Sequence, residues 1–209
     1  MKSVLSVRKT IPHPFNPLRR LFRGRFVQTG QDPRDDVRIL PQDTRSGGTA
    51  EQLRLYPDAL VLHIGCGLDS RCQRIQAPYT QWIDADLPDV IAVRKNYFAE
   101  TSAYSMIALD ASKPEEVNKL PDAERIIVIM EGISMYLTND ALIQFFAALQ
   151  AKYKAVHVLL DIYTVFGAKA SKYKNPINEV GVTQVYGIDD IHALVSDTGL
   201  RVVQDYNMT

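Results

Sequence analysis

The segment VLHIGCGLDSR, residues 61–71, decides the fold class. It opens with an apolar run that is typical of a buried strand, and Gly65 and Gly67 follow directly. Glycines at the end of a strand let the backbone turn tightly and approach a ligand closely. The segment therefore predicts a buried strand, a glycine turn that binds a ligand, and a short helix that ends near Gln76.

Strand and helix patterns alternate through the rest of the chain. Apolar runs predict six strands, at residues 59–64, 80–86, 103–109, 125–130, 155–163 and 200–206. Helical patterns lie at residues 50–55, 88–99, 139–153 and 188–196, Ser112 is expected to cap a further short helix, and residues 164–182 are expected to be irregular. Continuously apolar strands are typical of a parallel sheet that is covered on both faces. We therefore predict an α/β, Rossmann-like fold with a doubly wound, mostly parallel sheet.

Charge is spread unevenly along the 209 residues, whose net charge is zero. Residues 1–31 contain seven Lys or Arg and no acid, so the remainder holds 17 basic and 24 acidic side chains, a net of −7. This division predicts a basic N-terminal arm or lid over residues 1–44 and a ligand-binding α/β domain over residues 45–209. A basic arm suits an anionic partner, although a solvated arm that binds nothing remains the alternative.

Cysteine use and hydropathy indicate a cytoplasmic protein. Cys66 and Cys72 are the two cysteines, and their spacing fits neither a metal site nor a disulfide framework. No apolar run approaches the length of a membrane span. We therefore predict a cytoplasmic location, with no metal and no membrane partner.

Acids follow most of the predicted strands. Asp86, Asp110 and Glu131 each come at or just after a strand end, and ligands of parallel sheets bind at this edge. Asp69 sits where a dinucleotide's pyrophosphate would lie, and Ser70 replaces the third glycine of the dinucleotide pattern. A ligand without phosphates fits better, and S-adenosylmethionine is such a ligand. Asp86 can accept hydrogen bonds from its ribose hydroxyls, and Asp110 from its adenine amino group.

Other interpretations of these residues stay open at this point. The glycines can be plain turn residues, Asp69 a helix cap, Asp86 and Asp110 solvated loop acids, and Glu131 a structural hydrogen-bonding group. His63 and His157 lie in apolar strands and are predicted to belong to the core. Three alternative functions are a non-catalytic S-adenosylmethionine-binding or interaction protein, a NAD-dependent oxidoreductase, and a nucleic-acid methyltransferase that uses the basic arm.

Three segments carry a resemblance to a known family. HIGCGLDSR (63–71), WIDADLPDVIAVRK (82–95) and MEGISMYLTND (130–140) resemble the leucine carboxyl methyltransferase family, which includes the bacterial polyketide O-methyltransferases. The resemblance implies a class I methyltransferase fold, with S-adenosylmethionine as the methyl donor. It also implies an O-methyltransferase that acts on a carboxylate or hydroxyl of a small, polyketide-like molecule, and it disfavours nucleic-acid bases as acceptors. The basic residues of the arm would suit an acidic acceptor or an acidic carrier protein.

The same resemblance assigns residues to the donor site. Arg45 matches the arginine that clamps the donor's carboxylate, Gly65 and Gly67 match the glycine loop, and Glu131 matches the acid that faces the methionine end. Asp86 matches the ribose acid and Asp110 the adenine-side acid. The residues beside them complete the predicted site: Cys66, Asp69, Leu87, Ala111 and Gly132. Tyr136 and Tyr163 are candidates for lining the acceptor side.

The family pattern extends beyond the sixth predicted strand. A class I fold has a seventh, antiparallel strand between strands five and six, and this family adds a long helical insert. Thr209 follows the sixth strand closely. We therefore expect the seventh strand and the insert to be missing, in a short form or a fragment of such an enzyme.

Overall fold

The computed structural model describes residues 27–28, 35–38, 47–170, 185–196 and 198–204. Eight strands in these ranges form one sheet in the order β1-β8-β2-β7-β6-β3-β4-β5. The strands are β1 (Val27–Gln28), β2 (Asp35–Arg38), β3 (Leu60–Ile64), β4 (Gln81–Asp86), β5 (Tyr104–Ala108), β6 (Arg125–Met130), β7 (Ala155–Leu160) and β8 (Arg201–Gln204). All six predicted strands are therefore present, with ends that agree within one to three residues.

Helices connect most of the strands. The α-helices are α1 (Gly47–Leu55), α2 (Arg71–Arg74), α3 (Pro88–Arg94), α4 (Asn139–Lys152), α5 (Val165–Ala170) and α6 (Ile191–Ser196), and 3-10 helices span Pro114–Lys119 and Ser134–Tyr136. Pro88 occupies the first turn of α3, where its missing N–H costs nothing. The Thr138 hydroxyl accepts the N–H of Ala141 and so caps α4.

The strand order reverses at β3. From β3 the sheet continues through β4 to β5 in one direction, whereas β6 and β7 follow on the other side of β3. These five strands pair in parallel. Because parallel crossovers are right-handed, the connections before and after the reversal lie on opposite faces of the sheet. The predicted doubly wound, mostly parallel sheet is confirmed, and β1 is antiparallel to β8.

The core lies along the central strands. Every residue of β3 and β7 is buried, and α4 packs against β7 with four buried side chains, namely Leu142, Phe145, Phe146 and Leu149. Burial of one such side chain contributes about 1.5–3 kcal/mol. His63 and His157 are 2% and 0% exposed, as expected for core histidines.

Strand β2 is an element that the turn-rich sequence around it did not predict. It pairs in parallel with β7 on one side and with β8 on the other, at the place between β7 and β8 where the antiparallel seventh strand was expected to be missing. Its hydrogen-bond partners lie more than 100 residues away in the sequence. Short-range composition carries no signal for such a strand, because only the assembled sheet supplies its partners.

Two smaller predictions were wrong. Residues 165–170 form α5 within a segment predicted to be irregular. Ser112 does not cap a helix: Lys113 precedes the 3-10 helix, and the Ser112 N–H and hydroxyl both donate to Asp110 Oδ1. The boundary between arm and domain at residues 44/45 stays a prediction, although β1 and β2 draw two short pieces of residues 1–44 into the sheet.

Candidate functional site

The parallel register brings the predicted site residues to one edge of the sheet. Ile64 at the end of β3 pairs with Ala85 of β4 and with Met130 of β6. Asp86 pairs with Ala108 at the end of β5. The segments after these strands therefore meet at the point where the strand order reverses, which is where ligands of open α/β sheets bind.

Gly65 and Gly67 form a turn that few other residues could adopt. Their φ angles are +67° and +48°, in the left-handed region that disfavours side chains. A Cβ on Gly65 would also lie 2.8 Å from Cδ1 of Ile133. A Cβ on Gly67 would meet no atom within 4 Å, so the turn is tightly packed at Gly65 and open at Gly67.

Asp86 holds the open part of this turn. Its Oδ2 accepts the N–H of Gly67 at 2.8 Å, and its Oδ1 accepts the N–H of Leu87 at 2.8 Å. Both bonds fix the carboxylate at the edge of the sheet. Leu87 itself is 48% exposed, so an apolar side chain is accessible to solvent next to the carboxylate in sequence.

A cluster of buried polar side chains lies beneath the turn, and we call it the inner cluster. Its members are His63, Trp82, Asp84, Arg94 and Tyr104. The Asp84 carboxylate accepts Trp82 Nε1–H and Tyr104 Oη–H at 2.8 Å each, lies 3.0 Å from His63 Nδ1, and pairs with Arg94. Burial by itself raises the pKa of Asp84, but the hydrogen bond and charge of His63, the hydrogen bond of Trp82 and the charge of Arg94 together hold it below its usual value.

A second group of charges, the outer cluster, lies nearer the surface. It consists of Asp69, Arg71, Arg74 and Glu131. Arg71 Nη2 pairs with Glu131 and lies 3.3 Å from Asp69 Oδ2, while Arg74 Nη2 donates to Asp69 Oδ1 at 2.6 Å. The side chain of Glu131 is 20% exposed and that of Arg71 is 1% exposed. Asp69 is thus an ion-pair partner of the arginines in α2, which links the glycine turn to the end of β6.

Asp110 follows β5 and is held by its neighbours in sequence. Its Oδ1 accepts the hydroxyl and N–H of Ser112, and its Oδ2 lies 3.2 Å from Lys113 Nζ. Partial burial raises its pKa, but the bonds from Ser112 and Lys113 more than offset this and leave the pKa lowered. Asp110 is therefore an ionised acceptor near neutral pH.

Two tyrosines gather near Asp161, beyond β6 and β7. Burial raises the pKa of Tyr136 and of Tyr163, and the Asp161 carboxylate raises both further. Asp161 Oδ1 accepts the N–H of Gly132 at 2.8 Å. Because a raised pKa keeps a phenol protonated, both tyrosines are hydrogen-bond donors at neutral pH. Tyr136 remains 39% exposed. The two residues predicted for the acceptor side thus share Asp161 as a neighbouring charge.

Two further predicted residues, Cys66 and Ala111, are buried in the glycine turn and after β5. Cys66 and Ala111 are 2% and 4% exposed. Burial raises the pKa of the Cys66 thiol far above its usual value, and the nearby Asp84 charge raises it further, so the thiol is unreactive. Arg45 lies outside the described residues, as does the basic segment 1–26.

Sequence reasoning missed the two buried arginines, Arg71 and Arg94, and did not select Asp84 or Asp161. A signal for the inner cluster was present in WIDAD (82–86), because Asp84 interrupts a buried strand and a buried acid needs a partner. The identity of that partner, Arg94, was not predictable from spacing. Arg94 reaches Asp84 only because α3 packs back on β4 and β5.

Within the described ranges, no group of three or more His, Cys, Asp or Glu residues is arranged to hold a metal ion. None of the helices in the described part of the chain combines the length and the apolar character needed to cross a membrane.

Comparison with protein families gives a match over the candidate site. Residues 58–150 match the model of the family described as leucine carboxyl methyltransferase. The matched range contains the glycine turn, both charge clusters and Asp110. Together with the strand order, it confirms the Rossmann-like class I methyltransferase fold that the sequence predicted.

Two curated proteins are similar in sequence. The tetracenomycin polyketide synthesis O-methyltransferase TcmP of Streptomyces glaucescens is 31% identical over 158 residues, which cover 75% of this chain and 58% of that protein. The S-adenosyl-L-methionine-dependent methyltransferase dpfgK of Gibberella zeae is 31% identical over 93 residues, which cover 41% of this chain and 31% of that protein. The chain therefore spans less than two thirds of the length of either relative.

Solved structures give more distant similarities. Human N-acetylserotonin methyltransferase in complex with SAM has a TM-score of 0.48 and 17% identity, over 78% of this chain and 50% of that one. Magnesium protoporphyrin IX methyltransferase from Synechocystis with bound SAH has a TM-score of 0.47 and 13% identity, over 75% and 72% of the two chains. The fold assignment rests on the strand order and the family match.

Proposed function

We propose that this chain is a member of the leucine carboxyl methyltransferase family, whose model matches residues 58–150. In this proposal it binds S-adenosylmethionine and transfers the methyl group to an oxygen of a small-molecule acceptor. One observation carries the proposal. A glycine turn and three acids that follow separate strands (Asp86, Asp110 and Glu131) converge on the edge of the sheet where the strand order reverses.

The residues at this edge fit the chemistry of that donor. The open space beside Gly67 leaves room for a ligand against the turn. An ionised carboxylate has about four acceptor positions, and Asp86 uses two of them for backbone N–H groups. Two positions therefore remain for the adjacent hydroxyls of a ribose.

Each end of the donor finds a suitable partner in this proposal. Asp110 is an ionised acceptor for the amino group of adenine, and the exposed Leu87 offers an apolar surface for a planar ring. Glu131 offers a carboxylate to the ammonium of the methionine end. Arg45 is proposed to clamp the methionine carboxylate in a bidentate contact. Cys66, Ala111 and Gly132 contribute backbone beside these side chains.

The bound donor supplies a methyl group that its sulfonium makes electrophilic. The residues around it hold the acceptor oxygen in line with that methyl, and such positioning accounts for roughly 7–11 kcal/mol of a barrier in favourable cases. A carboxylate acceptor is already ionised near neutral pH. A hydroxyl acceptor needs a base within hydrogen-bond reach.

Tyr136 and Tyr163 orient the acceptor in this scheme. Their raised pKa values make them donors of hydrogen bonds and poor bases at neutral pH. They therefore suit an acceptor that already carries negative charge, such as a carboxylate. An acidic or carrier-bound acceptor would also suit the basic residues of the N-terminal arm, and we propose a cytoplasmic location for this activity.

Calorimetric titration with S-adenosylmethionine and, separately, with NAD tests the donor. We expect binding of the methionine cofactor alone. Asp86→Ala should weaken it strongly, because the variant loses both the ribose acceptor and the bond to Gly67. Asp89→Ala is the matched control, since Asp89 is an exposed acid three residues away in the first turn of α3.

The possible results separate the candidate functions. Binding of NAD alone would replace the proposal with an oxidoreductase. Equal losses in Asp86→Ala and Asp89→Ala would remove Asp86 from the site. Donor binding without methyl transfer to any carboxylate or hydroxyl acceptor in a panel would leave a binding protein instead of an enzyme.

A deletion tests the proposed role of the arm. Removal of residues 1–25 should weaken acceptor binding more than donor binding, because the arm is proposed to close over the acceptor. Equal losses for donor and acceptor would contradict a lid. Methyl transfer to RNA or DNA, with binding that weakens steeply as salt rises, would instead indicate a nucleic-acid substrate.

A further inference from the structure

Arg94 is a buried cation whose three nitrogens all donate hydrogen bonds. It is 0% exposed. Its Nε donates to Tyr104 Oη at 3.2 Å, and its Nη2 pairs with Asp84. Both contacts lie inside the inner cluster, and the Asp84 carboxylate neutralises the guanidinium, as a buried charge requires.

Two further bonds of Arg94 leave the inner cluster. Nη1 donates to the carbonyl of Gly67 at 2.8 Å, and Nη2 donates to the carbonyl of Asp69 at 2.7 Å. Both carbonyls belong to the glycine turn. The two contacts satisfy donors that a buried guanidinium would otherwise leave unpaired. In doing so, they also fix two carbonyls of the turn.

The peptide groups around Gly67 are thus fixed from two directions. The N–H of Gly67 donates to Asp86 Oδ2, and its carbonyl accepts from Arg94. Asp86 ends β4 and Arg94 ends α3, so the next strand–helix unit braces the turn. Gly67 has a φ of +48° and no atom within 4 Å of a Cβ position, so packing on that side does not hold it.

The position of the guanidinium is itself well determined. The Arg94 Cζ atom lies over the ring of Phe98, 4.0 Å from the ring centroid. Asp84 is fixed in turn by His63, Trp82 and Tyr104. A planar guanidinium held by Asp84 and Phe98 can present two N–H groups to two carbonyls, which a lysine ammonium cannot do with the same geometry.

We propose that Arg94 is a positioning residue for the donor site, which fixes the carbonyls of Gly67 and Asp69 and so keeps the glycine turn in the shape that binds the donor. It sets donor affinity without touching the donor. This inference rests on the proposed function. The bracing of the turn itself, however, is measurable in the protein without any ligand.

The experiment compares Arg94→Lys with Tyr104→Phe in the full chain. Arg94→Lys keeps a cation beside Asp84 but loses the fork to the two carbonyls. Tyr104→Phe removes a hydroxyl from the inner cluster and leaves both carbonyl contacts in place. Arg125→Lys is the matched control. Arg125 begins β6, pairs with the exposed Asp58, lies over the ring of Tyr56, and makes no contact with the turn among those described.

Three readouts separate positioning from stability: the thermal midpoint, the carbonyl carbon-13 shifts of Gly67 and Asp69 in the free protein, and the Kd for S-adenosylhomocysteine. Arg94→Lys should move both carbonyl shifts and raise the Kd about tenfold, because two charge-assisted hydrogen bonds are lost. Tyr104→Phe should lower the midpoint while its Kd stays within about twofold of wild type. Arg125→Lys should leave the shifts and the Kd unchanged.

Several results would overturn the proposal. An Arg94→Lys protein with wild-type Kd would do so, as would equal Kd losses in Arg94→Lys and Tyr104→Phe at equal thermal midpoints. If the wild type does not bind S-adenosylhomocysteine, the proposed function fails. The contact of Arg94 with the turn is then judged by the carbonyl shifts alone, and unchanged shifts in Arg94→Lys would contradict it. If Arg94→Lys does not fold, the double variant Arg94→Gln/Asp84→Asn replaces the ion pair by neutral amides, and the same readouts apply.

Discussion

Arg94 and Arg71 are buried to the same degree and yet differ in how fully they are bonded. They are 0% and 1% exposed. Each nitrogen of Arg94 donates to a partner. By contrast, Nε and Nη1 of Arg71 have no hydrogen-bond partner among the described residues, and only its Nη2 contacts Asp69 and Glu131.

This difference separates charges that belong to the scaffold from charges that can respond to a ligand. An unsatisfied buried donor costs about 1–3 kcal/mol, and a ligand, an ion or a water that binds there removes this cost. The inner cluster is satisfied without a ligand, and its Asp84 is fully buried. The outer cluster keeps unused donors and a partly exposed Glu131. We therefore expect changes in the inner cluster to affect mainly folding, except at Arg94, whose bonds to the glycine turn also affect binding. Changes in the outer cluster are expected to affect mainly binding.

The largest effect is expected from Asp84→Ala. The variant leaves Arg94 buried without its counter-ion, and breaking a buried pair in this way costs about 3–5 kcal/mol of unfolding free energy. Glu131→Ala should cost less, about 1–2 kcal/mol, because solvent reaches the outer cluster. Urea unfolding of both variants measures the difference. Equal losses of unfolding free energy would mean that both clusters contribute alike to stability.

Glu131→Gln should affect binding more than stability. The proposed charge-assisted bond to the donor's ammonium contributes about 1.5–3 kcal/mol, so we expect donor affinity to fall at least tenfold while the unfolding free energy changes little. Calorimetry with S-adenosylhomocysteine measures the affinity. Glu51→Gln is the control, since Glu51 is exposed in α1. Wild-type affinity in Glu131→Gln would remove Glu131 from the donor site.

The acid dependence of stability is expected to report on Asp84 of the inner cluster. The pKa of Asp84 is lower in the folded protein than its usual value, so its stabilisation is complete above the unfolded pKa of about 3.9 and is lost as pH falls through the folded pKa. One such group changes stability by at most about 1.4 kcal/mol per pH unit. Asp84→Asn should therefore show a flatter acid limb below pH 4 in unfolding measurements. A limb as steep as that of the wild type would assign the acid sensitivity to other carboxyl groups.

The smallest effect is expected at the rim of the outer cluster. Arg74 is half exposed and pairs with Asp69, and exposed ion pairs contribute about 0.2–1 kcal/mol. Arg74→Gln should therefore lower the unfolding free energy by less than about 1 kcal/mol, and this loss should shrink further in high salt. Urea unfolding at two salt concentrations checks this. A loss above 2 kcal/mol would show that solvent does not screen this part of the cluster.

Much of the fold was predictable because the strands around the site are local features. The run RIIVIM predicted β6 at its observed bounds, since apolar composition alone marks a strand that is buried on both faces. Asp86 and the glycine turn were selected for the same reason: each lies at the end of such a strand or directly after it. The parallel register then had to bring them together, and the strand ends at Ile64, Ala85 and Met130 are indeed paired.

Long-range partners were not predictable in this way. β2 has no local strand signal, because its stability depends on β7 and β8. The pairing of Arg94 with Asp84 and the glycine turn spans 10 to 27 residues across two elements, and the pairing of Arg71 with Glu131 spans 60 residues. A single sequence specifies that such charges need partners, but it does not specify which partners they take.

The sequence by itself determined the alternation of strands and helices, the glycine turn and the acids at the strand ends, because hydrophobic period and backbone freedom are properties of neighbouring residues. Only the tertiary structure decided the reversal of strand order, the place of β2 between β7 and β8, and the division of the buried charges into one closed and one open cluster. The physical reason is that the bonding of a buried charge depends on every element that packs around it, and those elements meet only when the sheet and its helices are assembled.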